Sequence, residues 1–329
     1  MIKTAITEMF NIEYPIICGA MMWLCTPRLC AAISNAGGMG NITAGNYETE
    51  EEFRGAIREV RKLTDKPFMV GITILPSVRI TSEHHAMYAK VCAEERVAGI
   101  EVSGSPLDKA LGKKAFESLK KAGIKIFHKV GSVRHAVHAQ KAGYDGVYAA
   151  GFEEGGHPLG DDVTTMVLTP RIVDSVKIPV VTVGGIADGR SLAAALALGA
   201  QGVMMASRFI ATSDCDAHEN IKQELVRRQE NETTLICKSI GLQGRALKNK
   251  IICEVLTAEE KGLGLEAIIP LIAGQRIKKA WEKGDVEDAP LMVGQSIGHI
   301  HDVISCKELL KRMQDDAVAQ LRKASDLIR

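Results

Sequence analysis

The feature that most constrains the fold of this chain is an alternation, repeated eight times, of short apolar runs with longer segments of helical composition. The runs are rich in β-branched or apolar residues and most end at Gly, Ser or Pro, as buried strands do. The segments between them are rich in Ala, Leu, Lys and Glu, and most run into a glycine, which is typical of helices. The predicted strands are residues 15–20, 39–44, 68–75, 99–104, 125–130, 146–151, 179–185 and 202–207.

The alternation decides between two α/β architectures. Eight strands separated by helices predict a closed (β/α)8 barrel, a TIM barrel. An open doubly wound sheet needs a glycine-rich dinucleotide turn after an early strand and an acidic residue about 20 residues further on. The nearest match, Gly37-Gly-Met-Gly40, precedes a strand instead of following one, so we favour the barrel. The predicted helices of the barrel include residues 28–36, 50–63, 107–122, 133–142 and 190–198.

The pattern changes after Ser207. Pro270 stands just ahead of a helical pattern, a position that suits the first turn of a helix. We expect helices, and no new strands, over residues 221–229, 257–262 and 271–282, followed by a long amphipathic helix over 307–328. The organisation predicted is a barrel over 1–210, a mainly helical small domain over 211–300 and a C-terminal helix over 301–329 that packs back on the barrel.

The charge balance excludes several classes of partner. Lys and Arg number 41 and Asp and Glu 40, so the net charge of +1 offers no field to gather nucleic acid or an anionic membrane. The first residues lack the apolar stretch of a signal peptide, and no run approaches the ~18 apolar residues of a membrane span. We therefore expect a cytoplasmic protein that acts on a small molecule.

The eight cysteines are scattered over the whole chain and form no CxxC pair. This pattern predicts reduced, mostly buried thiols instead of a disulfide framework. The alternative, that Cys18, Cys25 and Cys30 ligate a metal or a cluster, lacks a fourth ligand at a recognisable spacing, and we predict no metal site.

The seventh and eighth strands end in Gly184-Gly185 and Ala206-Ser207. Barrel enzymes carry their active sites at the C-terminal ends of the strands, and phosphate sites are common after strands seven and eight. Free backbone amides in these turns are suited to a phosphate, and glycine allows the backbone to approach it closely. The alternative is that the glycine pair only makes a tight strand-to-helix turn.

The sixth strand leads into a polar, glycine-rich loop over residues 151–163, much longer than the usual two to six residues. His157 follows Gly155 and Gly156, so the imidazole can reach into the mouth while the glycine backbone lies against a flat ligand. We predict His157 as the catalytic residue. The alternative is a loop histidine bonded to Asp161 or Asp162. For Glu153 and Glu154, an acid or base role is open, but a solvated loop edge is the favoured interpretation.

Two further groups border the predicted mouth. Lys129 ends the fifth strand, where an ammonium suits an anionic ring or phosphate; otherwise an interior lysine needs a carboxylate partner. After the first strand, Gly19-Ala-Met21 followed by Met22 and Trp23 suits a planar ring, the alternative being ordinary packing at the mouth.

Several of these motifs occur together in one known family. With them in this order the chain resembles the FMN-dependent nitronate monooxygenase family, formerly called 2-nitropropane dioxygenases, with its NADH:quinone reductase and enoyl-acyl carrier protein reductase relatives. The Gly-Gly-His element and the downstream glycine pair are the specific parts. The motifs that carry the resemblance are Pro15, Gly19-Ala-Met21, Ala36-Gly-Gly-Met-Gly40, Lys129, Gly155-Gly-His157, Gly184-Gly185, Ala206-Ser-Arg-Phe209 and Gly294-Gln-Ser296.

The resemblance implies a barrel with a small helical domain, FMN as cofactor, NADH or NADPH as co-substrate, and a homodimer. Pro158 after His157, with Asp161-Asp162 beyond, looks more like the NADH:quinone reductase branch than like the monooxygenases. The family pattern places FMN against the backbone of Gly19, Ala20 and Met21, the side chains of Lys129 and Asn41, and phosphate-binding amides at Gly184, Gly185, Ala206 and Ser207.

Three functional hypotheses follow. The leading one is an FMN oxidoreductase that passes electrons from NADH or NADPH to a quinone or an activated alkene, with His157 orienting or protonating the acceptor and Lys129 stabilising negative charge on the ring. The second is oxidation of alkyl nitronates with dioxygen. The third, from another class, is a non-catalytic barrel that binds a phosphorylated metabolite.

Overall fold

The computed structural model describes residues 2–77, 79–159 and 161–328, and its centre is a parallel sheet of eight strands. Around the sheet the order is β1, β8, β7, β6, β5, β4, β3, β2, and backbone hydrogen bonds between Met39 and β1 close the ring. The predicted (β/α)8 barrel is confirmed. Its strands are β1 Ile16–Cys18, β2 Gly40–Thr43, β3 Phe68–Ile74, β4 Gly99–Gly104, β5 Lys125–Val130, β6 Gly146–Ala150, β7 Val180–Val183 and β8 Gly202–Met205.

Helices cover the outside of the barrel and form most of the chain beyond it. The predicted helix over 107–122 is divided at Gly112, whose φ of 80° is a conformation that interrupts a helix. The helices in the described residues are α1 Ala5–Phe10, α2 Pro27–Asn35, α3 Glu50–Leu63, α4 Ser82–Glu94, α5 Leu107–Leu111, α6 Lys113–Lys121, α7 Val133–Ala142, α8 Thr165–Val173, α9 Gly189–Ala197, α10 Ser207–Ile210, α11 Glu219–Arg227, α12 Lys250–Glu260, α13 Leu265–Ile272, α14 Gly274–Lys283 and α15 Cys306–Ser325.

Local sequence explains where these helices begin and which face they bury. At α3 the Thr49 hydroxyl accepts from the Glu52 amide at 3.2 Å, and the Glu52 carboxylate accepts from the Thr49 amide at 3.1 Å, which is a capping box. Phe53, Ile57 and Val60 then recur on one face and are buried against the sheet. Amphipathic spacing of this kind is why the barrel helices could be predicted.

The barrel interior is apolar at its N-terminal end. Met69, Phe127, Tyr148 and Met204 pack together inside the strands, and Phe10 of α1 lies 5.8 Å from the Phe127 ring. This packing closes the N-terminal end of the barrel. A ligand can therefore enter only from the other end, where the loops after the strands meet.

The segment beyond β8 contains an antiparallel hairpin, β9 Thr233–Ile236 and β10 Gly244–Leu247. The prediction that no new strand follows β8 is therefore wrong, because two four-residue strands that pair with each other leave little periodic signal. Pro270 lies inside α13 instead of ahead of a helix, and the predicted helix over 257–262 is the end of the longer α12.

The hairpin, α12 and α13 have a small core of their own, with Ile236, Ala246 and Ile252 at its centre. In contrast, Trp281 and Leu310 belong to the large core between the barrel and its helices. Division of the chain at residues 210 and 300 remains a proposal. No helix among the described residues combines the length and apolar character that crossing a membrane requires.

The C-terminal part is joined to α10, the helix that follows β8, by an ion pair whose arginine is buried. Arg208, 2% exposed, donates to Asp302 Oδ1 at 2.7 Å and to the Asp302 carbonyl at 2.9 Å. Asp302→Ala leaves this guanidinium without its counter-ion, so we expect a loss of about 2 kcal/mol in the free energy of unfolding, less than for a fully buried pair because Asp302 is partly exposed.

The denaturant midpoint measures this loss. Asp315→Ala, which removes a surface partner of Lys311, is the control and should change stability by less than about 0.5 kcal/mol. Equal midpoints for the two variants would contradict the role given to Arg208 and Asp302.

Candidate active site

A cavity of about 500 Å³ opens at the C-terminal ends of the strands. This volume lies within the roughly 300 to 1,000 Å³ of small-molecule sites. Most of the residues predicted for the site border it: Gly19, Ala20, Lys129, Gly155, Gly156, His157, Gly184, Gly185, Ala206 and Ser207.

Two predicted site residues lie behind the cavity wall. Met21 packs against the large core, and its carbonyl accepts from the Thr43 hydroxyl at 3.0 Å. Asn41 is fully buried; its side-chain amide donates to the Cys18 carbonyl at 3.1 Å and to Glu101. Both residues therefore support the wall instead of forming it.

The glycine pair after β7 has the conformation that only glycine adopts freely, with φ of 97° at Gly184 and 75° at Gly185. A Cβ at Gly184 would lie 3.0 Å from the Gly151 carbonyl, so the chain is tightly packed there. A Cβ at Gly185 would meet only Glu153, at 3.9 Å, on the cavity side. The pair thus makes a tight turn and also leaves backbone open to a ligand.

Ser207 opens α10 beside this turn. Its hydroxyl accepts from the Gly294 amide at 3.0 Å, which commits the side chain to the segment beyond the barrel. The backbone N–H groups at the start of a helix have no acceptor within the helix. The amide of Ser207 is therefore the part of this residue that suits a ligand.

Lys129 has a carboxylate partner inside the barrel mouth. Its ammonium lies 3.1 Å from Glu154 Oε1 and 3.2 Å from the His157 carbonyl. Glu154 is 6% exposed; burial raises the pKa of its carboxyl, and the positive charge of Lys129 opposes that rise. Lys129 therefore has the carboxylate partner that an interior lysine needs, which was the alternative to a ligand contact.

The interpretation of Glu153 and Glu154 as a solvated loop edge is wrong. The loop after β6 turns inward beneath the hairpin, so that Glu154 points at Lys129. Glu153 caps α8 by accepting from the Thr165 amide at 2.9 Å and from the Thr165 hydroxyl at 2.9 Å.

Glu101 of β4 borders the cavity and was missed from the sequence. It is 4% exposed, and its Oε2 accepts from the Ala20 amide at 3.0 Å and from Asn41. Burial raises its pKa to about 7, opposed by the Ala20 amide and by the positive charge of Lys129. The available signal was a glutamate in a strand whose other residues are uncharged, because a buried charge is costly unless it is paired or hydrogen-bonded.

His157 is exposed to the cavity, yet the surrounding protein desolvates its ring. This desolvation, together with the positive charge of Lys129, lowers the pKa of the imidazole to about 4, so the ring is neutral near pH 7. Within the described part of the chain no hydrogen bond joins the ring to Asp161 or Asp162; Asp162 instead binds Lys238 at 3.0 Å. The loop-anchoring alternative for His157 therefore lacks its partner.

The hairpin holds the loop that carries His157. Gly156 and Arg245 exchange two backbone hydrogen bonds, of 3.2 and 2.7 Å, as neighbouring strands do. The Arg245 guanidinium lies over the Phe152 ring, 4.4 Å from its centroid, and donates to the Phe152 carbonyl at 3.2 Å. A Cβ at Gly155 would lie 2.5 Å from the Gly294 amide nitrogen. These contacts between the hairpin and the loop could not be predicted from the sequence pattern.

In the described residues, no three His, Cys, Asp or Glu side chains meet in an arrangement that could hold a metal ion. All eight cysteines have free thiols and all but Cys253 are buried, as predicted. The polar groups that line the cavity include backbone amides, the buried carboxylates of Glu101 and Glu154, the ammonium groups of Lys129 and Lys238, and the imidazole of His157.

Comparison with known proteins gives matches over nearly the whole chain. The profile of the family described as nitronate monooxygenase matches residues 3–316. A 5-hydroxy-7a-methyl-1-oxo-octahydro-1H-indene-4-carboxyl-CoA dehydrogenase of Rhodococcus jostii is 30% identical over 97% of this chain and 97% of its own. A probable nitronate monooxygenase of Staphylococcus aureus is 31% identical over 89% of this chain and 92% of its own. The structure of FabK from Thermotoga maritima is 34% identical, with a TM-score of 0.90, and each chain is covered to 100%.

Proposed function

The chain belongs to the nitronate monooxygenase family of flavin-dependent oxidoreductases, and from this membership we propose that it is an FMN-dependent enzyme that passes electrons from NADH or NADPH to a quinone or an activated alkene. Because the members of this family are enzymes, the hypothesis of a non-catalytic barrel that binds a phosphorylated metabolite is not favoured.

The residues present fit FMN. The turn at Gly184 and Gly185 leaves backbone open beside the amides of Ala206 and Ser207, where a phosphate would be held. On the other side of the mouth, Lys129, paired with Glu154, would place a positive charge beside an electron-rich ring. Bound FMN would supply two-electron transfer between donor and acceptor.

The feature that carries the choice of reaction is the position of the His157 ring at the cavity, where burial and the positive charge of Lys129 lower its pKa and favour the neutral imidazole. A neutral imidazole at this position can donate a hydrogen bond to the carbonyl oxygen of a quinone or an unsaturated carbonyl compound and stabilise the negative charge that develops there. With a pKa of about 4 it is a poor base for removing a proton from a nitroalkane. The relative from Rhodococcus jostii, by name a dehydrogenase of a carboxyl-CoA, supports an acyl thioester as one form of activated carbonyl substrate.

Oxidation of alkyl nitronates with dioxygen is the second candidate. The relative in Staphylococcus aureus, named a probable nitronate monooxygenase, favours it. A nitronate is already deprotonated, so this reaction does not need His157 as a base, and the same cavity would serve it.

We expect the purified protein to carry one FMN per chain without a covalent bond, since the phosphate amides are in place and no flavin-linking motif is recognisable in the sequence. Acid precipitation should leave a yellow supernatant, and chromatography should identify its flavin as FMN. Colour that stays in the pellet, or a released flavin that proves to be FAD, would contradict the assignment of the phosphate site.

Anaerobic mixing of the flavin-loaded protein with NADH, NADPH and alkyl nitronates in turn separates the two candidate reactions. Rapid bleaching of the flavin by a nicotinamide is the result expected for the reductase. Bleaching by nitronate alone would select the monooxygenase. The homodimer and the cytoplasmic location remain proposals that rest on the family resemblance and on the sequence.

A further inference from the structure

We propose that Glu101 is a further residue of the flavin site, whose buried carboxylate faces the ring of FMN and lowers the reduction potential of the bound flavin. The inference rests on the proposed function, because it needs FMN in the cavity. Nothing in the family motifs quoted above includes Glu101.

The order of the strands places Glu101 across the mouth from the phosphate turns. In a closed ring of eight strands β4 lies opposite β8, with three strands between them on either side. A ligand whose phosphate is held at Ser207 and that spans the cavity therefore reaches the side lined by Glu101, Ala20 and Lys129. The ring of FMN, at the other end of the molecule from its phosphate, would occupy this side.

The Glu101 carboxylate is held in a fixed orientation. Both of its close donors, the Ala20 amide at 3.0 Å and the Asn41 side-chain amide, bind Oε2. Oε1 has only a long contact, 3.5 Å, with the Ser103 hydroxyl. One carboxylate oxygen thus remains available to a ligand. The pyrimidine edge of a flavin presents an N–H donor between two carbonyl acceptors, and Glu101 and Lys129 offer the complementary acceptor and donor.

The groups around Glu101 compensate its negative charge only in part. The titratable groups that face it are Lys129 of β5, Tyr148 of β6 and Glu154 of the loop after β6. Lys129 is committed to Glu154 at 3.1 Å, and no ion pair to Glu101 is found in the described residues. A carboxylate in this position opposes the addition of electrons to a nearby ring. Since its pKa is about 7, this opposition should be present above pH 7 and weaken below it.

The test is Glu101→Gln, because the amide oxygen of glutamine can still accept from Ala20 and Asn41 while the charge is lost. The midpoint potential of the flavin is measured in the purified flavin-loaded protein against a reference dye, at pH 8 and at pH 5.5. At pH 8 we expect the variant to favour the reduced flavin at least tenfold more than the unmodified protein does, which is about 30 mV for a two-electron couple. At pH 5.5 the two potentials should converge. Glu59→Gln, an exposed glutamate on α3, is the control and should match the unmodified protein at both pH values.

A second measurement needs no variant. The visible absorption of the oxidised flavin in the unmodified protein should shift reversibly between pH 5.5 and pH 8 as the carboxyl titrates. The inference is overturned if the flavin-loaded variant has an unchanged potential at pH 8, or if the spectrum does not titrate. Protein that binds no FMN at all would overturn the proposed function itself, and the inference with it, which distinguishes the two failures.

Discussion

His157→Ala should lower acceptor turnover about 100-fold or more while FMN stays bound. The expected loss is the usual scale for a positioned acid, base or hydrogen-bond donor. The proposed phosphate and ring contacts lie on other strands, so cofactor content should not change. Reduction of the flavin by a nicotinamide should suffer less, because that step draws no proton from the imidazole. Stopped-flow measurement of the two half-reactions separates these effects.

The matched control for this variant is Asp162→Asn. Asp162 lies in the same loop but binds Lys238 at 3.0 Å, away from the imidazole, so we expect acceptor turnover within a few-fold of normal. Unchanged turnover in His157→Ala would remove the histidine from the mechanism. An equal defect in both variants would mean that His157 only anchors its loop.

Lys129→Met should destabilise the folded protein by about 3 kcal/mol at pH 8, the range for breaking a buried ion pair by removing one partner. Methionine fills the space of the lysine stem, but Glu154 then stays buried without a cation. Urea unfolding measures the loss. A variant as stable as the unmodified protein at pH 8 would show that Glu154 does not depend on Lys129.

The pH dependence of this loss has a definite sign. Without Lys129 the pKa of Glu154, already raised by burial, rises further above its value in the unfolded chain. Stability is then full at low pH, where the carboxyl is protonated in both states, and is lost as the pH rises through the folded-state pKa. The deficit should therefore shrink at pH 5. Adding Glu154→Gln to Lys129→Met should recover at least half of the stability and remove this dependence.

The fold was largely predictable because its signals are local. Each strand of the barrel is a short apolar run, and the spacing of apolar residues such as Phe53 and Ile57 shows which face of a helix is buried. The hairpin was not predictable in this way. Its strands Thr233–Ile236 and Gly244–Leu247 are stabilised by pairing with each other and with Gly156, which is distant in the sequence.

The site divides along the same line. The positions of Gly184, Gly185 and the loop of His157 at the cavity could be predicted, because a glycine pair after a barrel strand and a long polar loop are local sequence patterns. The buried environment of Glu154 could not be predicted in this way. Its partner Lys129 lies 25 residues away in the sequence, and the position of the loop depends on the hairpin that packs on it. The contacts of Glu101 could be found only from the order of the strands in the barrel, because that order brings Asn41 of β2 and Ala20 of the first loop to its carboxylate.

The strand-like bridge between Gly156 and Arg245 has a consequence for how such an enzyme can be altered or reduced in size. A chain cut after α10 would retain every barrel strand and the turns at Gly184-Gly185 and Ala206-Ser207, but it would lose the hairpin that holds the histidine loop. The connection between β9 and β10 also borders the cavity through Lys238, Leu242 and Gln243, while the hairpin packs on a core separate from that of the barrel. We therefore expect that exchanging this connection alone would change which molecule the cavity accepts, while the barrel core and the turns after β7 and β8 stay as they are.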